Sequence, residues 1–150
     1  MKKILKNNFI IVGLTFLVPG IISFIIKDSF NTYNYLNKPV LSPPSIIFPI
    51  VWFIIYVLMS ISIIKVKDID DDNLKLYYIS LLLNALWNPI FFKFRLYFIA
   101  LIDLIILLYT VIKMIRKYKE YNKISAYLLL PYLVWLVFAF YLNLSILVLN

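Results

Sequence analysis

Cysteine and histidine are both absent from this chain of 150 residues. Without cysteine there is no disulfide, no thiolate metal ligand and no thiol nucleophile. Without histidine, the chain lacks the commonest general base and the usual protein ligand of haem iron and zinc. The sequence therefore predicts no metal site and no resident cofactor.

Charge is also scarce. Charged residues make up 15% of the chain, hydrophobic residues make up 64%, and the mean hydropathy is +0.95. This balance is typical of a membrane protein that crosses the bilayer several times. The sequence predicts an all-α fold, a five-transmembrane-helix bundle that forms a single integral membrane domain over residues 1–150. The predicted spans are Phe9–Ile26, Ile46–Ile64, Leu76–Phe92, Leu96–Ile112 and Ile124–Leu147.

The charges that are present are mostly positive, with a net charge of +8. They lie between the spans, so the lipid bilayer is the expected partner and nucleic acid is not. Eleven lysines and arginines lie on the N-terminal side (three at the N-terminus, three in the second loop, five in the fourth), against four on the other side. The positive-inside rule then predicts a cytoplasmic N-terminus and an external C-terminus. For a prokaryotic source, the expected location is the cell (inner) membrane.

Only two glycines occur, and both lie in the first span. Gly13 and Gly20 are seven residues apart on one helix face, and Pro19 precedes Gly20. Small residues at this spacing predict a close contact between helices, with a modest kink at the proline.

The third span carries polar residues whose burial in the hydrocarbon of the bilayer is unfavourable unless they have hydrogen-bond partners. Asn84, Trp87, Asn88 and Phe91 are spaced i, i+3, i+4 and i+7, so they share one helix face. A buried amide without a partner costs roughly several kcal/mol, so this face has to meet protein, water or a ligand.

Two other spans repeat this combination of aromatic and amide side chains. The second presents Trp52 and Tyr56, and the fifth presents Trp135, Ala139 and Asn143 at intervals of four residues. We interpret the three faces as walls of one pocket, in which the small Ala139 leaves room for a flat guest.

The first loop, residues 27–45, is the longest in the chain and is rich in proline. Long, stiffened loops often close over binding sites, so the sequence predicts a lid; an interfacial connector is the alternative. The candidate lid residues are Leu36, Lys38, Pro39, Pro43 and Pro44.

Two acidic features remain. The second loop carries Asp68, Asp70, Asp71 and Asp72 without the central glycine and final glutamate of a calcium loop, so it predicts an acidic helix N-terminus. Asp103 interrupts the fourth span and is either a functional carboxylate or a group paired with a neighbouring amide or cation.

In this order, these motifs resemble the TspO/MBR family, which includes translocator proteins, tryptophan-rich sensory proteins and the peripheral benzodiazepine receptor. The similarity runs over nearly the whole chain. The matching motifs are Tyr33, Leu36, Lys38-Pro39, Pro43-Pro44, Val51-Trp52, Tyr56, Leu83-Asn84, Trp87, Pro89, Phe91-Phe92, Ala100-Leu101, Asp103-Leu104, Pro131-Tyr132-Leu133, Trp135, Phe138-Ala139 and Leu142-Asn143.

The resemblance implies a five-helix bundle, usually a homodimer, that binds porphyrins and related tetrapyrroles under its first loop. By matching position, it implies a pocket between the second, third and fifth helices, with the segment 36–44 closing over it. The implied ligand-binding residues are Tyr33, Trp52, Tyr56, Asn84, Trp87, Phe91, Trp135 and Ala139.

The first hypothesis is that the protein binds a porphyrin-like ligand as a sensor, chaperone or transporter. The ligand would be a metal-free porphyrin because the chain has no histidine, and Lys38 would meet its propionates. The second is an enzyme that degrades porphyrin with light and oxygen, with Trp52 and Trp135 implicated by the resemblance. The third is a helix-packing scaffold for a partner protein.

Overall fold

A computed structural model describes residues 2–150, with side chains from Lys3 onward. Within that range the chain is helical, without strands, as predicted. The α-helices are α1 (Lys2–Leu5), α2 (Asn8–Ile25), α3 (Thr32–Tyr35), α4 (Ile47–Val66), α5 (Asp71–Asn88), α6 (Tyr97–Tyr121), α7 (Lys123–Leu128) and α8 (Leu130–Leu149). A 3₁₀-helix (Lys27–Asn31) follows α2, and a π-helix (Pro89–Lys93) follows α5.

Four helical stretches are long and apolar enough to cross a membrane: α2, α4, α6 and the combined α7–α8 stretch Lys123–Leu149. They establish an integral membrane protein. The third predicted span, Leu76–Phe92, is helical but falls within α5 and the π-helix, outside these four stretches. Helix α5 is less apolar than these four stretches because it begins with acidic residues and contains three asparagines.

The acidic second loop forms a helix N-terminus, as predicted. Asp70 caps α5 by accepting the backbone N–H of Asp72 at 2.9 Å, and the Lys117 ammonium lies 2.9 Å from its carboxylate. The Asp72 N–H, and then Lys117, lower the pKa of Asp70 below its usual value. This contact ties α5 to the C-terminal end of α6.

The polar residues of α5 face protein. The Asn73 amide donates to the Val66 carbonyl at 2.8 Å, and Tyr118 of α6 donates to the Asn73 carbonyl at 2.6 Å. Tyr77 is fully buried and shares a hydrogen bond with Thr15 of α2. The buried Asn73 Oδ1 atom makes no hydrogen bond with the described residues. The other groups named here are bonded to neighbouring helices, so α5 carries polar side chains against protein.

The chain reverses between α5 and α6 within a few residues. Phe94 and Leu96 donate their N–H groups to the carbonyls of Pro89 and Ile90, both at 3.0 Å, and Arg95 adopts a left-handed φ of 56°. Because Tyr118, near the end of α6, contacts Asn73, near the start of α5, the two helices are antiparallel. The predicted hairpin is confirmed.

Candidate ligand cavity

A cavity of about 490 Å³ lies between α2, α4, the C-terminal end of α5 and the segment that joins α2 to α4. Its walls are mainly aromatic. Four of the eight predicted ligand-binding residues border it, namely Tyr33, Trp52, Tyr56 and Trp87.

Trp52 separates this cavity from α8. Its ring stacks on Tyr56, with centroids 5.6 Å apart and planes at 23°. On the α8 side, it meets Trp135 edge to face at 6.3 Å and 88°, and Tyr132 at 6.3 Å. These contacts hold the half-buried indole in one orientation, with part of its surface toward the cavity.

Asn84 lies behind this wall. Tyr56 donates its hydroxyl to Asn84 Oδ1 at 3.2 Å, and Asn84 Nδ2 donates to the Tyr132 hydroxyl at 3.1 Å. Asn84 is therefore satisfied by protein and does not border the cavity. Asn84 acts on the site by positioning Tyr56, which borders the cavity.

Trp87 is held in a similar way. Its indole N–H donates to Asn143 Oδ1 at 2.9 Å, and Asn143 Nδ2 donates to the Tyr97 carbonyl at 2.9 Å. Phe91 stacks on Trp87 at 4.8 Å and 24°, on a side away from the cavity. Phe91 and Asn143 thus support the wall from behind.

The α8 residues lie outside the lining. Trp135 contacts Phe48, at 5.8 Å between ring centroids, as well as Trp52, and Ala139 is buried within the bundle. The structure therefore divides the predicted set into two tiers. Asn84, Phe91, Trp135 and Ala139 form the second tier, behind the residues that border the cavity.

Helix α2 provides a wall that the sequence interpretation did not include. Phe16, Pro19, Gly20 and Ser23 border the cavity. Their spacing of i, i+3, i+4 and i+7 defines one helix face, so the signal was present in the sequence. A Cβ atom added at Gly13 or Gly20 would meet nothing within 4 Å, so these glycines do not form the predicted close helix contact with any residue that the structure describes.

Four polar side chains that border the cavity have no hydrogen-bond partner among the described residues. They are the hydroxyls of Ser23 and Ser45, the indole N–H of Trp52 and the amide of Asn88, whose residue is 9% exposed. In an apolar cavity such groups are available to a carbonyl or nitrogen of a guest. Asn88 lies on the face singled out in the sequence but was not among the predicted ligand-binding residues.

The first loop is folded on itself. Tyr33 is 2% exposed and donates its hydroxyl to the Pro43 carbonyl at 2.9 Å, and burial raises the pKa of this phenol. Lys38 donates to the Tyr33 carbonyl at 3.0 Å, with its ammonium 4.7 Å from the centre of the tyrosine ring. Pro39 accepts a hydrogen bond from Ser42 Oγ at 2.8 Å.

Of this loop, Phe30, Tyr33 and Ser45 border the cavity, as do Ile46, just before α4, and Phe48 in its first turn. The five predicted lid residues do not border the cavity. Leu36 packs against the core, and Pro44 accepts the Ile47 N–H at 3.0 Å. Together with Lys38, Pro39 and Pro43, they form the outer part of the loop, which holds Tyr33 in place over the cavity.

The outer loop is also joined to the end of α8. The Asn37 N–H donates to Asn150 Oδ1 at 3.2 Å, and Asn150 Nδ2 donates to the Asn37 carbonyl at 3.0 Å. Asn37 Nδ2 donates to the Leu149 carbonyl at 3.4 Å. We refer to this reciprocal pairing of Asn37 with residues 149–150 as the C-terminal clasp.

Asp103 on α6 is buried, and its Oδ2 atom makes no hydrogen bond within the part of the chain that the structure describes. The pairing expected for this oxygen, with a neighbouring amide or cation, is therefore not seen.

These features define a class: a helical integral membrane protein with an aromatic cavity under its first loop. The family model of the TspO/MBR family matches residues 10–149, and the chain belongs to that family. The tryptophan-rich protein TspO of Chlorobaculum tepidum is 34% identical over 124 residues, 79% of this chain and 78% of the relative. The protein of the same name from Archaeoglobus fulgidus is 35% identical over 133 residues, which are 85% of this chain and 86% of the relative. The translocator protein of Ovis aries is 32% identical over 127 residues, 80% of this chain and 75% of the relative.

Proposed function

We propose that this protein binds flat, amphiphilic tetrapyrroles, with a metal-free porphyrin as the preferred class, in the cavity between α2, α4 and α5. It would act as a sensor, chaperone or transporter of that ligand. The observation that carries the proposal is the cavity itself, with its aromatic walls and the unpartnered polar groups of Trp52 and Asn88. Ring faces attract a planar aromatic guest, and the polar groups orient its edge.

The size of the cavity is consistent with this ligand class. At about 490 Å³, it falls within the range of roughly 300–1,000 Å³ that is usual for small-molecule sites. None of the lining residues carries a charge. The carboxylates of a porphyrin would therefore remain outside, near Lys27 and Lys38 of the loop that covers the cavity.

The cavity favours a binding protein over a scaffold. In a scaffold, aromatic and amide side chains would serve to pack helices, as Asn84, Phe91 and Asn143 do. Trp52 and Asn88 instead present surface and polar atoms to a space large enough for a guest.

We further propose that α5 is a fifth membrane span, so that the chain forms one five-span domain. Its 18 residues rise about 27 Å at ~1.5 Å per residue, close to the hydrocarbon thickness. Its antiparallel pairing with α6 and its hydrogen bonds to α4 and α6 are consistent with an inner position. The homodimer implied by the resemblance is part of the same proposal.

Truncation of Trp52 tests the ligand site. In the Trp52→Ala variant we expect porphyrin to bind about tenfold more weakly, because the loss of one stacking surface costs about 1.4 kcal/mol. Trp135→Ala should have a smaller effect, because Trp135 acts on the cavity through Trp52. The measurement is titration of purified protein with metal-free porphyrin, followed by the porphyrin absorbance shift.

Tyr109→Ala is the matched control, since Tyr109 is an exposed aromatic residue on α6, away from the cavity. It should bind porphyrin as the wild type does. If Trp52→Ala also binds with wild-type affinity while it retains its helical circular dichroism, the proposed site is wrong.

A further inference from the structure

The cavity is bordered by residues that are exposed on the outer surface of the bundle. Ile46 and Phe53 are 65% and 62% exposed, and Gly20 is exposed as well. Gly20 belongs to α2, and Phe53 belongs to α4. The cavity therefore reaches the surface between these two helices, on the side that faces lipid in a membrane.

Contacts between α2 and α4 define one end of this opening. The Phe16 ring packs against Phe53 at 5.6 Å and against Tyr56 at 5.9 Å, which closes the gap between the helices at that level. One turn nearer the first loop, α2 presents Gly20, where a Cβ atom would meet nothing within 4 Å. The gap is thus closed by aromatic rings at one level and left clear by a glycine at the next.

We propose that the ligand enters the cavity sideways from the lipid bilayer, between α2 and α4, and that Gly20 keeps this entrance clear. This inference rests on the proposed function, which it extends to the route of entry. It specifies ligands that dissolve in the bilayer before they bind, as flat apolar rings do.

The surface around the entrance suits such a route. Leu17, Ile21 and Phe24 are exposed on α2 beside Gly20, so the helix offers acyl chains an apolar face. No charged residue lies among those that border the cavity. A ligand dissolved in lipid would therefore reach Trp52 without passing a charged group, whereas a route through the first loop would require the Tyr33–Pro43 contact and the C-terminal clasp to open.

Gly13 offers a matched control for Gly20. Both are on the same face of α2, two turns apart, and an added Cβ atom would meet open space at either. Only Gly20 borders the cavity. Leucine favours helix by roughly 0.5–1 kcal/mol relative to glycine, so Gly13→Leu and Gly20→Leu should both fold.

The experiment compares these two variants in lipid nanodiscs. Metal-free porphyrin preloaded into lipid vesicles is mixed with the nanodiscs, and tryptophan quenching is followed by stopped flow. We expect Gly20→Leu to slow association at least about tenfold and to slow dissociation by a similar factor, because an obstructed entrance hinders both directions. Gly13→Leu should differ from the wild type by less than about twofold.

Two results would overturn the inference. If Gly20→Leu associates as fast as Gly13→Leu, the entrance lies elsewhere. If Gly20→Leu associates at the wild-type rate but dissociates faster, Gly20 belongs to the binding surface and not to the entrance. In both cases the proposed function still stands provided that Trp52→Ala weakens equilibrium binding, so the two failures can be distinguished.

Discussion

At the residue scale, similar side chains perform two different tasks in this protein. Trp52 and Asn88 present surface or polar atoms to the cavity, whereas Trp87 and Asn84 are fixed through hydrogen bonds to other helices. The distinction depends on whether a polar group has a protein partner. A satisfied group contributes to the bundle, and an unsatisfied one at a cavity is available to a ligand.

Asn143 illustrates the first task. In the Asn143→Ala variant, the Trp87 indole N–H and the Tyr97 carbonyl lose their partner. We expect a destabilisation of about 1–2 kcal/mol, since hydrogen bonds between membrane helices are modest but an unpaired buried donor is costly. The measurement is unfolding of the detergent-solubilised protein, followed by circular dichroism.

The double variant Asn143→Ala with Trp87→Phe provides the control. Phenylalanine has no N–H to leave unpaired, so the two changes together should cost less than the sum of the two single changes. Strict additivity would contradict a direct energetic link between Trp87 and Asn143.

At the element scale, helix α5 differs from the four apolar stretches because it carries polar side chains that contact other helices. Its neighbours α2, α4 and α6 contact it on several sides, and Asn73, Asn84 and Tyr77 form hydrogen bonds with them. An inner helix can therefore carry amides and hydroxyls that a lipid-facing helix cannot. Helix α2, by contrast, is apolar and exposed along most of its length, yet one of its faces borders the cavity.

The C-terminal clasp leads to a prediction about the first loop. In the Asn150→Ala variant, the loop loses both side-chain hydrogen bonds between Asn37 and Asn150. We expect faster amide hydrogen exchange over residues 36–44, because this outer part of the loop then has fewer contacts that resist local opening. Hydrogen exchange with mass spectrometry measures the change.

Asn34→Ala is the matched control for the clasp. Asn34 is an exposed asparagine on α3 whose side chain forms no hydrogen bond with the described residues. Its replacement should leave exchange over 36–44 as in the wild type. Equal exchange in the Asn150→Ala variant and the wild type would show that the clasp does not hold the loop.

At the scale of the whole molecule, the two ends of the bundle differ in charge. Lys6 pairs with Asp71 at 2.7 Å and Lys117 with Asp70 at 2.9 Å, which brings the N-terminus, the second loop and the end of α6 together. The first loop meets the C-terminus at the opposite end. Lys6 and Lys117, two of the eleven cations counted on one side of the sequence, thus lie at the same end of the fold.

This asymmetry predicts the orientation in the membrane. The natural absence of cysteine allows single-cysteine variants without background, and Val40→Cys and Glu120→Cys introduce thiols at exposed positions of opposite ends. In intact cells, we expect a membrane-impermeant thiol reagent to label Val40→Cys, and to label Glu120→Cys only after lysis. The reverse pattern would place the N-terminus outside.

The sequence by itself determined the class of this protein, its helices and its family. Long apolar stretches can satisfy their backbone only as helices in lipid, so composition and periodicity were sufficient for the helical fold. They were also sufficient for the hairpin at Lys93–Arg95 and for the acidic cap of α5. A buried amide in hydrocarbon is costly without a partner, so the sequence also indicated that Asn84 would meet protein, water or a ligand and not lipid.

Only the tertiary structure decided which partner each polar group has and which residues border the cavity. Asn84 and Asn88 lie one turn apart on the same face, yet the former bonds to Tyr56 and Tyr132 while the latter faces the cavity. Periodicity specifies the face of a helix but not which neighbour that face meets. That depends on how the helices pack, and this packing makes α2 a wall of the cavity and leaves Trp135 behind Trp52.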